Sequence, residues 1–226
     1  MMKIFIKNLF ILGVFSLTLF NSCKKDDPVD PCEQLECFNG GTCVNGTCDC
    51  PAGFTGDNCE IQVDPCANVT CLNGGTCVNG SCDCPTGYTG PDCGNQETPS
   101  KIRITNIRVT KFPATDNGAG WDLSSGPDIY VSMEYSASQI YEHPTFFQNA
   151  NPTQYYDFQP NINLNMNNPT DIYIIRLYDN DDFGADDFMG GIQFVPYQDG
   201  NNFPNKLNLD AGGDVAFELT VVYTFW

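Results

Sequence analysis

The chain has 226 residues, 41% of them hydrophobic, which is enough to bury a substantial core in one or two domains. Its formal net charge is −18, from 28 acidic and 10 basic residues. No Lys or Arg falls between Lys25 and Lys101, and only Arg176 and Lys206 follow Lys111, which argues against nucleic acid and against unaided attraction to anionic lipid, and makes cations the natural partners.

The first residues, Met1-Met2-Lys3-Ile4-Phe5-Ile6-Lys7, are positively charged, and Leu9 to Phe20 is an apolar run. That run is shorter than the ~20 residues a spanning helix needs, so it reads as the apolar region of an export signal. It ends at Leu19-Phe20-Asn21-Ser22-Cys23. This stretch resembles the lipobox of bacterial lipoproteins, although Phe20 and Asn21 replace the usual aliphatic and small residues. The resemblance implies that Cys23 is acylated and anchors the chain to a membrane. The following Lys24-Lys25-Asp26-Asp27 resembles a sorting signal of lipoproteins exposed on the outer face of the outer membrane, so a cell-surface address is expected. Removing Cys23 from 13 cysteines leaves an even 12.

Those twelve fall in two sets, Cys32, Cys37, Cys43, Cys48, Cys50, Cys59 and Cys66, Cys71, Cys77, Cys82, Cys84, Cys93, with the same spacing C-x4-C-x5-C-x4-C-x-C-x8-C. Both sets carry GGTCVNG, CDCP and G-[FY]-T-G, so the segment is a tandem repeat. Modules this short cannot build a sufficient core, and an oxidising compartment favours disulfides over zinc. Asn45-Gly46 and Asn79-Gly80 are hairpin-turn dipeptides. Each copy resembles an epidermal growth factor-like (EGF-like) module. The family pairing implies Cys32–Cys43, Cys37–Cys48, Cys50–Cys59, Cys66–Cys77, Cys71–Cys82 and Cys84–Cys93. Calcium-binding members of that family carry an acidic entry motif and a later Asn or Asp followed by an aromatic; these copies offer one entry acid each, Asp30 and Asp64, and no aromatic in the loop after Cys43 or Cys77, so the modules are expected to be spacers or a protein-binding surface.

Residues 95–100 are polar and read as a linker. Beyond them no cysteine occurs, and apolar residues alternate: Ile102, Ile104, Ile107 and Val109, then Ile129, Val131 and Met133, then Tyr173, Ile175 and Leu177. With Val215 to Phe225 rich in β-branched and aromatic residues, and no helical period of useful length, this predicts an antiparallel β-sandwich of seven or eight strands. The expected organisation is a signal peptide at 1–22, an acylated cysteine and linker at 23–31, modules at 32–60 and 61–94, a linker at 95–100 and a sandwich at 101–226. The fold class is mainly β.

Asp179-Asn180-Asp181-Asp182-Phe183-Gly184-Ala185-Asp186-Asp187 concentrates five carboxylates at the end of a predicted strand. An EF-hand loop starting at Asp179 fails, because Phe183 and Gly190 stand where ligands belong. Asp179, Asp181 and Asp187, spaced D-x-D-x5-D before Phe188-Met189-Gly190, resemble the third calcium loop of a C2 domain. Asp122 and Asp128, six apart before Ile129-Tyr130-Val131, resemble its first. The resemblance spans most of 101–226 and implies a C2-like sandwich with Asp122, Asp128, Asp179, Asp181 and Asp187 as calcium ligands. Five gathered carboxylates repel one another, and calcium, taking ~6–8 oxygens, relieves that repulsion. Asp182 and Asp186 fall outside the matched positions and read as solvated.

In membrane-binding C2 domains the loop tips carry apolar residues, and Leu123, Phe183 and Trp121 occupy such places. Acidic lipid, polysaccharide or protein at the cell surface are candidate partners bridged by calcium. His143 with Phe146, Phe147, Tyr155 and Tyr156 offers a sugar-stacking surface, although such aromatics more often fill a sandwich. No nucleophile and base occur together, and the only histidine is His143, so enzymatic activity is not expected. The expected function is calcium-dependent binding or adhesion. The alternative is a calcium-stabilised structural domain with partner binding carried by the EGF-like modules.

Overall fold

The computed structural model describes residues 29–122, 125–181 and 185–226. The export segment, Cys23, Leu123, Asp182 and Phe183 lie outside the described residues. The chain divides into two compact units between Asp64 and Pro65.

The first unit is one disulfide module. Strands β1 (Thr42–Val44) and β2 (Thr47–Asp49) form a hairpin in which Cys43 faces Cys48. Asn45 and Gly46 both hold positive φ, 51° and 83°, the conformation a two-residue turn needs to follow the strand twist. The bridges are Cys32–Cys43, Cys37–Cys48 and Cys50–Cys59, the pairing the EGF-like pattern implies. Cys59 is fully buried whereas Phe38, Val44 and Ile61 stay exposed, so sulfur takes the place of an apolar core. Strand β3 (Phe54–Thr55) pairs with β4 (Ile61–Gln62), and the Val63 N–H donates to Gly53 O at 2.9 Å. Backbone pairing thus carries this module past residue 60.

The second unit begins with the same device: β5 (Thr76–Val78) with β6 (Ser81–Asp83), β7 (Tyr88–Thr89) with β8 (Asn95–Gln96), and bridges Cys66–Cys77, Cys71–Cys82 and Cys84–Cys93. Strand β8 occupies the start of the stretch read as a linker. Ser100 N–H then donates to Thr224 O, so the sandwich starts within four residues of β8.

Among the described residues, nine strands make the sandwich: β9 (Lys101–Lys111), β10 (Ile129–Tyr135), β11 (Ser138–Glu142), β12 (Tyr156–Phe158), β13 (Asn165–Met166), β14 (Tyr173–Asp179), β15 (Asp187–Phe194), β16 (Lys206–Asp210) and β17 (Ala216–Thr224). One sheet has the order β11-β10-β14-β15; the other has β12-β9-β17-β16 with β13 also on β9, and every pairing is antiparallel. The count exceeds the expected seven or eight because one edge is interrupted after Phe158, where Pro160 has no N–H to offer a ladder.

The core lies between the sheets and is built from Ile102, Ile104, Ile107, Val109, Val131, Met133, Tyr173, Ile175, Leu177, Phe217 and Leu219 among others. In β9 the buried positions change phase between Ile104 and Ile107. The β17 partners step from Asn106 to Ile104 there, leaving Thr105 as the extra residue of a bulge, and its Oγ1 donates to Thr220 O at 3.2 Å. Strand β9 runs the length of the sandwich, about 35 Å at the usual rise. The second module meets one end of it, and the acidic loops lie at the other.

Candidate metal centre

Strand pairing brings the acidic loops together. β10 begins beside the end of β14, with Ile129 opposite Asp179, and β15 begins beside the same residue, with Asp187 opposite Asp179. The loop entering β10 and the loop joining β14 to β15 are therefore neighbours despite being about 50 residues apart in sequence. Asn180 N–H donates to Asp128 O at 2.8 Å across this seam.

Alternation along β14 decides which acid goes inside. Tyr173, Ile175 and Leu177 point into the core, and the next position in that phase is Asp179, which is 0% exposed. Its Oδ1 accepts the Asp128 N–H at 2.5 Å, while Oδ2 is buried with no partner among the described residues. Burial pushes the Asp179 carboxyl up to about 6, partly offset by the Asp128 N–H, with the negative charges of Asp122, Asp181 and Asp128 adding to the rise. An unpaired buried carboxylate oxygen is costly, and a cation or a proton removes the cost.

Asp122, Asp179 and Asp181 each offer a carboxylate oxygen, and the three oxygens lie within 4.8 Å of one another. Asp122 is steadied by Ser125, whose Oγ donates to Oδ2 at 2.9 Å. Of the five acids matched to a C2 pattern, these are the three that converge. Asp128 turns its Oδ1 to the Asn149 N–H at 2.7 Å and so tethers a third segment, residues 147–150, to the site. Phe147 exchanges backbone bonds with Ile129, and Ala150 N–H donates to Pro127 O. Asp187 is exposed at the start of β15.

Asp186, read as solvated, is engaged instead. Its Oδ2 accepts the Tyr130 hydroxyl at 2.8 Å and its Oδ1 accepts the Asp181 N–H at 3.2 Å and an Asn180 Nδ2 bond at 3.4 Å. It holds the loop's two ends together. Trp121 is half-buried against the core, and its Nε1 donates to Pro113 O at 3.0 Å, so its indole anchors the first loop. Leu123 and Phe183, the other loop-tip residues, lie outside the described residues. His143 packs edge-on to Phe158, and Phe147 packs on Tyr156 and Phe158, while Phe146, Phe147 and Tyr155 remain exposed. Asp186, Asn149 and Ser125 were not legible as site residues, because each acts through a contact that only strand pairing creates.

The residues fit a hard cation. The donors are all carboxylate oxygens, with neither histidine nor thiol among them, a set that suits calcium, and the orphaned Asp179 Oδ2 supplies a coordination point already desolvated.

Residues 32–59 and 66–93 match the EGF-like domain family, and the two disulfide modules are EGF-like domains. Tissue-type plasminogen activator of Sus scrofa is 48% identical over 40 residues, which is 15% of this chain and 7% of that protein. Among solved structures the chain is similar to a C2 domain at 20% identity, covering 55% of this chain and 97% of that one with a TM-score of 0.35. It is also similar to a C2 domain of plant extended synaptotagmin 1, at 14% identity over 57% and 98% of the two chains with a TM-score of 0.37. A third match, human GIVD cytosolic phospholipase A2, is 11% identical over 56% of this chain and 17% of that one, with a TM-score of 0.34.

Proposed function

We propose that the protein is a non-enzymatic cell-surface lipoprotein whose C2-like sandwich binds a surface partner in a calcium-dependent manner, with the EGF-like modules acting as spacer or protein-binding surface. The reading is carried by one observation: Asp122, Asp179 and Asp181 converge on one point, and the buried Asp179 leaves an oxygen without a hydrogen bond. Calcium when bound supplies positive charge and vacant coordination positions that an acidic lipid, polysaccharide or protein can fill. Asp179 holds its oxygen rigidly through the Asp128 N–H, Asp122 is oriented by Ser125, and Asp186 ties the β14–β15 loop to Tyr130. Asp128, which accepts the Asn149 N–H, and the exposed Asp187 would be further carboxylates for such an ion. Anchorage through Cys23 and outer-membrane sorting complete the proposal.

Calorimetry with and without calcium tests the metal. A ligand bound only by the folded state at about 100 times its dissociation constant adds about 2.7 kcal/mol, so the sandwich transition rises by several degrees. Asp179→Asn with Asp181→Asn removes the rise; an unchanged transition in the wild type at millimolar calcium overturns the metal reading. Sedimentation with phosphatidylserine vesicles and with acidic polysaccharide, in calcium or chelator, then tests recruitment. Calcium stabilisation without calcium-dependent binding supports the structural alternative.

A further inference from the structure

The outward face of the four-stranded sheet carries a second site that uses none of the three converging aspartates. Register places its side chains in three rows across β10, β14 and β15: Tyr130, Tyr178 and Phe188; then Ser132, Arg176 and Gly191; then Glu134, Ile174 and Gln193. The first row is an aromatic wall. Tyr130 and Tyr178 stack at 5.4 Å, Tyr178 meets Phe188 at 5.6 Å, and Phe188 remains 57% exposed although it sits in a strand. The middle row is a trough because Gly191 has no side chain, and even a Cβ there would approach Ile175 O to 2.9 Å. The result is a cleft of about 400 Å³ lined by Ile174, Arg176, Tyr178, Phe188, Gly191 and Gln193. That volume falls within the range of small-molecule sites.

We propose that this cleft binds one or two residues of a neutral saccharide, independently of metal. The charge arrangement selects against ions. Arg176 is the single basic residue in the four strands of this sheet, and Glu134 neutralises it at 2.9 Å, with Glu142 and Asp186 adding negative charge nearby. An anionic headgroup or nucleotide gains nothing there, and a neutral polyhydroxylated ring does. The Arg176 guanidinium uses one arm on Glu134 and another on the Tyr178 hydroxyl, which fixes its plane and leaves N–H donors over for a sugar hydroxyl. Gln193 provides an amide donor and acceptor across the trough, exposed to solvent. The Arg176 guanidinium lies over the Phe188 ring at 5.9 Å from its centroid, and the ring still stays 57% exposed, which leaves aromatic surface against which the weakly positive C–H groups of a pyranose pack. An apolar wall beside paired planar polar groups suits a ring whose faces are apolar and whose edges are hydroxylated.

The test is saturation-transfer NMR of the purified protein with maltohexaose, cellohexaose, laminarihexaose, xylohexaose and chitohexaose, each at millimolar concentration, in EDTA and in calcium. Transfer to pyranose ring protons of at least one of these is expected in both conditions. Phe188→Ala lowers its affinity about tenfold and Gln193→Ala about fivefold. Melting curves check the fold, and Gln193→Ala, at a solvent-exposed side chain, carries the comparison if Phe188→Ala melts early. Absence of transfer from all five probes, transfer that vanishes in EDTA, or affinity unchanged in both variants overturns the proposal. Success in EDTA leaves the calcium reading to its own calorimetric test, so the two fail separately.

Discussion

The two EGF-like modules repeat one another in cysteine spacing, turn dipeptides and strand pairing, yet they differ in what their outer surfaces meet. In the second, Phe203 and Phe225 pack over Gly87, where an added Cβ would come within 2.8 Å of either ring. Tyr88 lies edge-on to Phe203 at 5.4 Å, and Gln96 holds the 200–202 turn through Gly200 N–H at 2.7 Å and Asn202 Oδ1 at 2.9 Å. In the first, the equivalent Gly53 has the same φ of 91° and no atom of the described residues within 4 Å of its open side. Shared sequence therefore sets the inside of both modules. A few residues of the 198–205 turn, together with Phe225, make one of them part of the sandwich.

The strongest way to break that comparison is to remove the same bridge from each module. Cys50→Ser with Cys59→Ser, and Cys84→Ser with Cys93→Ser, each cost their own module about 2–5 kcal/mol. The second pair also lowers the melting temperature of the sandwich, whereas the first leaves it unchanged, and hydrogen exchange along β9 and β17 reads the difference.

A finer contrast uses the glycines. Gly53→Ala and Gly87→Ala both lose about 1–2 kcal/mol by placing a side chain at positive φ. Gly87→Ala alone drives a methyl into Phe203 and Phe225, adding about 1–3 kcal/mol of overpacking. Proteolysis between residues 94 and 100 should accelerate only in that variant.

The smallest effect comes from pH and separates the sandwich from the first module. Asp179 has a folded pKa raised to about 6, above its unfolded value, so in the absence of metal the fold retains a proton that the unfolded chain releases. That contribution is complete below about pH 4 and is lost as pH rises through 6, which makes the sandwich about 1 kcal/mol less stable at pH 7 than at pH 5 through this group. Asp179→Asn abolishes that part of the slope in EDTA. Calcium reverses its sign, because metal and proton compete for the same oxygen. The first module, with no buried carboxylate among its described residues, keeps its stability over the same interval.

Much of this architecture is legible in the sequence. Twelve cysteines in two identical spacings pointed to the modules and, through the family pairing, to all six bridges. Alternation at Ile129 to Met133 and Tyr173 to Leu177 marked the inner faces of β10 and β14. The same phase, continued two residues on, turns Asp179 inward, which the structure reveals. Less legible were module limits, since β4 and β8 pair backbone to backbone and need no distinctive side chain.

What the sequence determined by itself are the properties carried by spacing and period, because covalent bridges and strand alternation act over short separations. Tertiary structure decided which acids share a point. Asp122, Asp179 and Asp181 converge because β10 and β14 are antiparallel neighbours, while Asp128 is drawn to Asn149 and Asp186 to Tyr130. The aromatic row of Tyr130, Tyr178 and Phe188 exists for the same reason. A residue's partner across a sheet is set by register between distant segments, whereas alternation within one strand fixes only the face a residue takes and not which distant residue it meets.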